Sequence, residues 1–210
     1  MTPKYDGCLV NFEGIDQSGK STQVEKLKMN LAAAGVEPLF FREPGGTSIS
    51  EQIRRILLST DNENMDSRCE LLLYTAARAQ LVSEKIIPAL TKGRFVILDR
   101  FYHSTIAYQC YGRGLAEEWA EVINREAVQG IEPDLTFIFD IAPDEAIHRR
   151  DEAGRDRIEQ SALEFFEKVR SGYLKMAKGN ERLVVLDGRC PREVLEKEVW
   201  RRVREKLLKK

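Results

Sequence analysis

The chain has 210 residues, 42% apolar and 32% charged, with a net charge of −1. That length suits one domain, 1–210, with a full core, and the balanced charge argues against nucleic acid as the main partner. The first residues lack the apolar core of a signal peptide and no apolar run reaches membrane-spanning length, so a cytoplasmic protein with no membrane partner is expected.

Residues 8–12, Cys-Leu-Val-Asn-Phe, are short and apolar enough for a buried strand. The next stretch, Gly14-Ile15-Asp16-Gln17-Ser18-Gly19-Lys20-Ser21, fits G-x-x-x-x-G-K-[ST], a phosphate-binding loop. Gly14 and Gly19 permit the tight turn that aims backbone N–H groups at an anion. Lys20 brings positive charge to the β- and γ-phosphates of a nucleotide, and Ser21 offers a hydroxyl to Mg²⁺. Residues 22–34 then carry Val24, Leu27, Leu31 and Ala34 at helical spacing, and Gly35 ends the helix. Strand, glycine loop and helix form the context that phosphate binding requires, with the helix dipole aimed at the phosphates.

Four further strands are expected at 38–42, 95–98, 135–141 and 183–186, separated by helical patterns. This alternation predicts an α/β fold with a parallel sheet covered on both faces and ligands beyond the strand carboxyl ends. After the second strand, Ser48-Ile49-Ser50-Glu51 has capping-box spacing and opens a helix with Ile53, Ile56 and Leu57 inward. A second helix from about residue 67 shows Leu71, Leu72, Ala76 and Ala79 as its apolar stripe. Arg78 lies within that helix, and pattern alone leaves open whether it is a binding residue or a surface arginine with its head in water.

The third strand runs into Asp99-Arg100. A carboxylate at a strand end suits Mg²⁺, but the fourth and fifth strands also end at or near Asp140 and Asp187. Asp99 is favoured because Arg100 beside it is placed to grip a second anion. Residues 102–109 mix aromatics with Thr105 and Gln109, which suits either a planar-base pocket or an ordinary amphipathic segment. Further on, a helix is expected over 115–129, and another opens at Pro143. Arg149, Arg150, Arg155 and Arg157 then cluster around Gly154, giving a lid at about 149–160 or a solvated charged loop. The lid reading is preferred because the phosphate loop contains no arginine, Gln17 standing in its variable part. The last helices are expected at 161–178 and 192–208. Cys8, Cys69, Cys110 and Cys190 form no C-x-x-C pair, so free thiols and no cysteine metal site are expected.

Several segments together resemble the thymidylate kinases, P-loop nucleoside monophosphate kinases that phosphorylate dTMP with ATP. They are Phe12-Glu13-Gly14, Arg42-Glu43-Pro44-Gly45-Gly46-Thr47, Ala77-Arg78-Ala79-Gln80, Asp99-Arg100-Phe101, Ala107-Tyr108-Gln109, Gly112-Arg113-Gly114, Pro133-Asp134-Leu135 and Asp156-Arg157-Ile158-Glu159. The resemblance spans nearly the whole chain. It implies a three-layer P-loop kinase fold, a five-stranded parallel sheet flanked by helices, with an Arg-rich lid. It also implies ATP and dTMP as substrates, Mg²⁺ bound with ATP, and a homodimer.

Residue by residue, the resemblance assigns ATP to Gly14, Ile15, Asp16, Gln17, Ser18, Gly19, Lys20, Ser21 and Thr22, with Arg149 and Arg157 from the lid. Asp16 also meets the 3′-hydroxyl side of dTMP. Arg54 and Arg100 hold its phosphate, Glu43 joins that site, and Tyr74 stacks on thymine. Arg78 donates to thymine O4, Thr105 and Gln109 read the base edge, and Tyr108 crowds the ribose 2′ position. Lys20, Arg100, Asp99, Arg150 and Arg155 are the expected catalytic residues, and Ser21 and Asp99 the metal ligands. The lid segment before Asp156 is shorter than in many bacterial relatives, which leaves the choice among Arg149, Arg150 and Arg155 open. A nucleoside kinase or another monophosphate kinase would share the loop, the lid and Asp99-Arg100, but is opposed by the set Arg78, Thr105, Tyr108 and Gln109. A GTPase switch is opposed by the lack of an N-K-x-D motif. A catalytically dead nucleotide binder is opposed by the presence of Lys20, Asp99 and Arg100.

Overall fold

A computed structural model describes residues 5–149 and 156–208. Five strands, β1 (Cys8–Glu13), β2 (Leu39–Arg42), β3 (Phe95–Asp99), β4 (Leu135–Asp140) and β5 (Leu183–Asp187), form one parallel sheet in the order β2-β3-β1-β4-β5. All five expected strands are present, each with one end shifted by one residue: β1, β3 and β5 run one residue further, β2 starts one later and β4 ends one earlier.

Around the sheet lie α1 (Lys20–Ala33), α2 (Ser48–Leu58), α3 (Ser67–Leu81), α4 (Ile87–Thr91), α5 (Tyr102–Thr105), α6 (Glu117–Val128), α7 (Pro143–His148), α8 (Leu163–Ala177) and α9 (Arg192–Leu207). A π-helical turn, Val82–Ile86, joins α3 to α4, and another, Ile106–Gly112, extends α5. The segment 102–109 is therefore helical throughout.

Alternation along the strands builds the layers. Val10, Phe12, Ile97, Phe137 and Phe139 face α1 and α9, packing on Val24, Leu27, Leu31, Leu195, Val199 and Val203. On the other face Leu9, Val96 and Leu98 pack on Leu81, Val82, Ile86 and Leu90. Ile138 packs with Phe166, Val169 and Tyr173 of α8.

Two expected stripes are corrected. On α2, Leu57 is buried but Ile56 is 47% exposed; on α3, Leu72 is 49% exposed and Ala76 is also outward. The inward face of α3 is Glu70, Leu71, Thr75, Ala77, Arg78 and Leu81. Placing Leu72 and Ala76 in the stripe rotates it away from this face, on which Glu70 and Arg78 are buried because each finds charged partners inside. Ala34, expected at the end of the α1 stripe, is exposed.

Candidate active site

Sheet register brings the site together. Phe12 pairs with Asp99, and Arg42 also pairs with Asp99. Beyond the last rungs, Arg100 N donates to Phe12 O and Glu43 N donates to Asp99 O, both at 2.9 Å. The loops starting at Glu13, Glu43 and Arg100 thus leave the sheet side by side, at the carboxyl ends where β1 sits between β3 and β4.

The phosphate loop has the turn its glycines predict. Gly14 has φ +131° and Gly19 +98°, and a Cβ at Gly14 would meet Phe139 O at 2.5 Å. Gln17 also adopts a positive φ, +61°. Lys20 folds back over the loop, its Nζ donating to Gly14 O at 2.9 Å and Ile15 O at 2.8 Å. Burial, with Arg100 nearby, lowers its pKa to about 8. Asp16, Gln17, Ser18, Gly19, Lys20, Ser21 and Thr22 line a cleft of about 770 Å³, a volume within the range for nucleotide-sized ligands. Gly14 and Ile15 do not line it. Ile15 packs under Ala107, Tyr108 and Ile138, so these two residues shape the loop from beneath.

The three strand-end carboxylates are no longer equivalent. Asp140 is bound at both oxygens by Arg170, at 2.6 and 2.9 Å. Asp187 is bound at both by Arg189, at 2.9 Å each. Asp99 lines the cleft, and its Oδ1 is buried without a hydrogen-bond partner. A carboxylate oxygen in that state fits a cation, and Ser21 lines the same cleft. Among the described residues no three His, Cys, Asp or Glu side chains form a metal cage.

Arg100 has φ +70°, an uncommon conformation for a residue with a Cβ. Its side chain is held by Asp16 Oδ1 at 2.7 Å and by Ser104 Oγ and Tyr173 OH at 3.2 Å each, and it lies over the Tyr108 ring at 5.1 Å. Beneath it Glu13, fully buried, accepts from Phe101 N, Ser104 Oγ, Tyr173 OH and Asn11 Nδ2 at 2.6 to 3.0 Å. Glu13 is a supporting residue to which the sequence reading, naming it only within the segment Phe12-Glu13-Gly14, gave no role. Its signal was an acidic residue closing an apolar strand directly before the glycine loop.

A second pocket adjoins the cleft. Asp16, Glu43, Arg54, Tyr74, Arg100, Thr105, Tyr108 and Gln109 line it, together with Pro44, Leu58, Ser104, Asp156 and Ile158. Asp16, Glu43, Arg54 and Arg100 belong to both pockets and form their common wall. Arg54 is held there by Nη1 donating to Pro44 O at 2.9 Å. Arg78 lies just behind the pocket, 2% exposed, with Nε and Nη2 on Glu43 and Nη1 on Thr105 and Asn124. The surface reading of Arg78 is therefore wrong. Burial outweighs Arg78 and pushes the Glu43 carboxyl up to about 7. Gln109 is anchored by donating to Glu70 Oε1 at 2.9 Å.

The thymidylate kinase family model matches residues 12–199. The chain is 48% identical over 184 residues to the thymidylate kinase of Caldanaerobacter subterraneus subsp. tengcongensis, covering 87% of this chain and 88% of that protein. It is 46% identical over 201 residues to the thymidylate kinase of Chlorobaculum parvum, covering 90% and 92%. To that of Chlorobium limicola it is 43% identical over 209 residues, covering 94% and 95%.

The chain belongs to the thymidylate kinase family.

Within this thymidylate kinase fold the expected lid arginines separate. Arg150 and Arg155 lie outside the described residues. Arg149 lines the large cleft and donates to Gly188 O at 3.3 Å. Arg157, expected on ATP, is instead buried away from that cleft. It donates to Glu70 Oε2 at 2.6 Å and to Leu57 O at 2.9 Å, because Glu70 under Gln109 needs a cation. The turn Gly188, Arg189, Cys190, Pro191 and Arg192 and the residue Glu159 also line the cleft. Sequence reading missed that turn, whose one signal is its place after a strand end. The four cysteines are free thiols. No helix among the described residues is long and apolar enough to cross a membrane.

Proposed function

We infer that this chain is a dTMP kinase, transferring the γ-phosphoryl group of ATP to dTMP and forming ADP and dTDP in nucleotide biosynthesis. The observation that carries the reading is the common wall: two pockets meet at Asp16, Glu43, Arg54 and Arg100, where two phosphorylated substrates would face each other. Family membership supplies the substrates' identity.

ATP occupies the larger cleft against residues 16–22, with Arg149 at its rim. dTMP occupies the smaller pocket, its phosphate on Arg54 and Arg100. Tyr74 stacks on thymine, Thr105 and Gln109 meet the base edge, Arg78 serves O4 from behind, and Tyr108 limits space at the 2′ position. A dTMP phosphate oxygen attacks the γ-phosphorus in line as the bond to the β-bridging oxygen breaks, and the electron pair leaves on ADP. That oxygen is already anionic near neutral pH, so no strong general base is needed. Lys20 leaves its loop carbonyls to meet the β- and γ-phosphates, and Arg150 and Arg155 stabilise the migrating group. Ser21 and Asp99 would hold Mg²⁺, which when bound neutralises phosphate charge. The same reading has the enzyme working in the cytoplasm as a homodimer. Half-exposed Ile56, Leu72 and Val122 on α2, α3 and α6 support a helix-packed interface.

A coupled assay with ATP, Mg²⁺ and a panel of nucleoside monophosphates tests this. Turnover with dTMP well above that with dCMP, AMP and GMP is expected; an equal or greater rate with any of those three overturns it.

A further inference from the structure

Asn124 lies on α6, outside the walls of both nucleotide pockets, and is 4% exposed. Its Oδ1 accepts from Arg78 Nη1 at 2.5 Å, and Thr105 Oγ1 accepts from the same nitrogen at 2.9 Å. Glu43 holds the opposite edge through Nε at 2.9 Å and Nη2 at 2.8 Å. A guanidinium carries five N–H donors in one plane. Hydrogen bonds use Nε and both hydrogens of Nη1, while Nη2 is paired with Glu43 Oε2 as an ion pair at 2.8 Å, so Nη2 is the nitrogen left to serve a substrate. An arginine side chain has several rotatable bonds, and a clamp on both edges fixes where the remaining donor points.

We propose that Asn124 is a positioning residue for Arg78, and through it sets discrimination between pyrimidine acceptors bearing a 4-carbonyl and those bearing a 4-amino group. This rests on the reading that Arg78 serves thymine O4. A fixed donor meets a carbonyl well and opposes an amino group, which brings its own hydrogens. Glu43 and Thr105 line the acceptor pocket and meet substrate themselves, whereas Asn124 acts through Arg78. Asn124 Nδ2 is buried without a hydrogen-bond partner, so the acceptor oxygen is the half of the amide that the site uses. An Asp supplies that oxygen in the same place. On its other side Asn124 borders a cavity of about 200 Å³ walled by Tyr102, Ile106, Val128 and Ile131, so truncation enlarges existing space and forces no clash.

The test compares wild type with Asn124→Ala, Asn124→Asp and Arg78→Ala, taking KM for dTMP, dUMP and ATP and Ki for dCMP as a competitor of dTMP. Asn124→Ala is expected to raise the dTMP and dUMP KM together by about tenfold, the loss of one charge-assisted hydrogen bond. Its ATP KM stays the same, and the ratio of dCMP Ki to dTMP KM falls about tenfold. Asn124→Asp returns that ratio towards wild type. If Asn124→Ala does not fold, Asn124→Ser, whose hydroxyl is too short to reach Arg78, is expected to show the same loss. A wild-type ratio in the Ala or Ser variant, with the ratio lost in Arg78→Ala, overturns the positioning role alone. A wild-type ratio in Arg78→Ala as well overturns the reading of Arg78 and the proposal with it. A parallel rise in the ATP KM, or failure of Asp to restore the ratio, makes Asn124 a structural residue only and overturns the proposal.

Discussion

Arg157 Nη2 donates to Glu70 Oε2 at 2.6 Å, with both side chains at most 5% exposed. The contact ties the chain at Arg157 to the helix carrying Tyr74 and Arg78. Arg157 is thus an anchor for the acceptor side, and its removal leaves a buried carboxylate with one cation fewer. Arg113 and Gln109 still contact Glu70. The expected loss for Arg157→Ala is therefore about 2–3 kcal/mol, below the roughly 3–5 kcal/mol of a buried pair broken outright. Urea unfolding measures it, and steady-state kinetics should show the dTMP KM rising more than the ATP KM. A selective rise in the ATP KM with unchanged stability would return Arg157 to the donor site.

Lys20 offers a test in pH. Burial lowers its pKa from 10.5 to about 8, and the protonated form meets phosphate. The group is charged below its pKa, so kcat/KM for ATP should fall as pH rises through about 8, a profile reporting free enzyme. The native state binds fewer protons than the unfolded chain between about 8 and 10.5, so stability contributed by this group rises with pH across that window. Lys20→Ala should lower kcat by about 10²–10³. The melting temperature should move by less than about 4 °C, since the side chain bonds only to loop carbonyls. A profile flat to pH 10 would refute the low pKa.

Asp99→Asn should raise the Mg²⁺ concentration for half-maximal rate by about tenfold or more. Asp140→Asn and Asp187→Asn should not, because each of those carboxylates is already occupied by an arginine. Chelation by EDTA should stop turnover. Equal Mg²⁺ dependence in the three variants would remove Asp99 as the ligand.

Kinetics separates the roles proposed for Arg149, Arg150 and Arg155. Arg149→Ala should raise the ATP KM, since it lines the donor cleft and touches Gly188 O. Arg150→Ala and Arg155→Ala should lower kcat while leaving the dTMP KM nearly unchanged, as expected for a group engaged in the transition state. Each should cost less than the roughly 10³–10⁵ of a lone arginine finger, because the cluster shares the charge. Wild-type kcat in both, and in the double variant, would leave the charge to Lys20, Arg54 and Arg100.

What sequence alone determined is local in origin. The glycine loop needs only its own residues to turn, so the phosphate site, the flanking strand and the start of α1 were readable within a few residues. The five strands followed from apolar runs and their spacing, and most of the residues that line the second pocket were named through motif resemblance. Tertiary structure decided whatever depends on partners distant along the chain. Asp99, Asp140 and Asp187 occupy similar strand ends, and only packing shows that Arg170 and Arg189 occupy two of them. Glu70 drew no attention and Arg78 was left open because a charge in isolation belongs in water, yet Arg157 and Glu43 make their burial favourable. Arg157 sits in a run of lid arginines, and nothing local separates it from its neighbours; the separation comes from Glu70, 87 residues away. Asn124 carried no signal at all, since its role depends on one oxygen meeting Arg78 across 46 residues of chain.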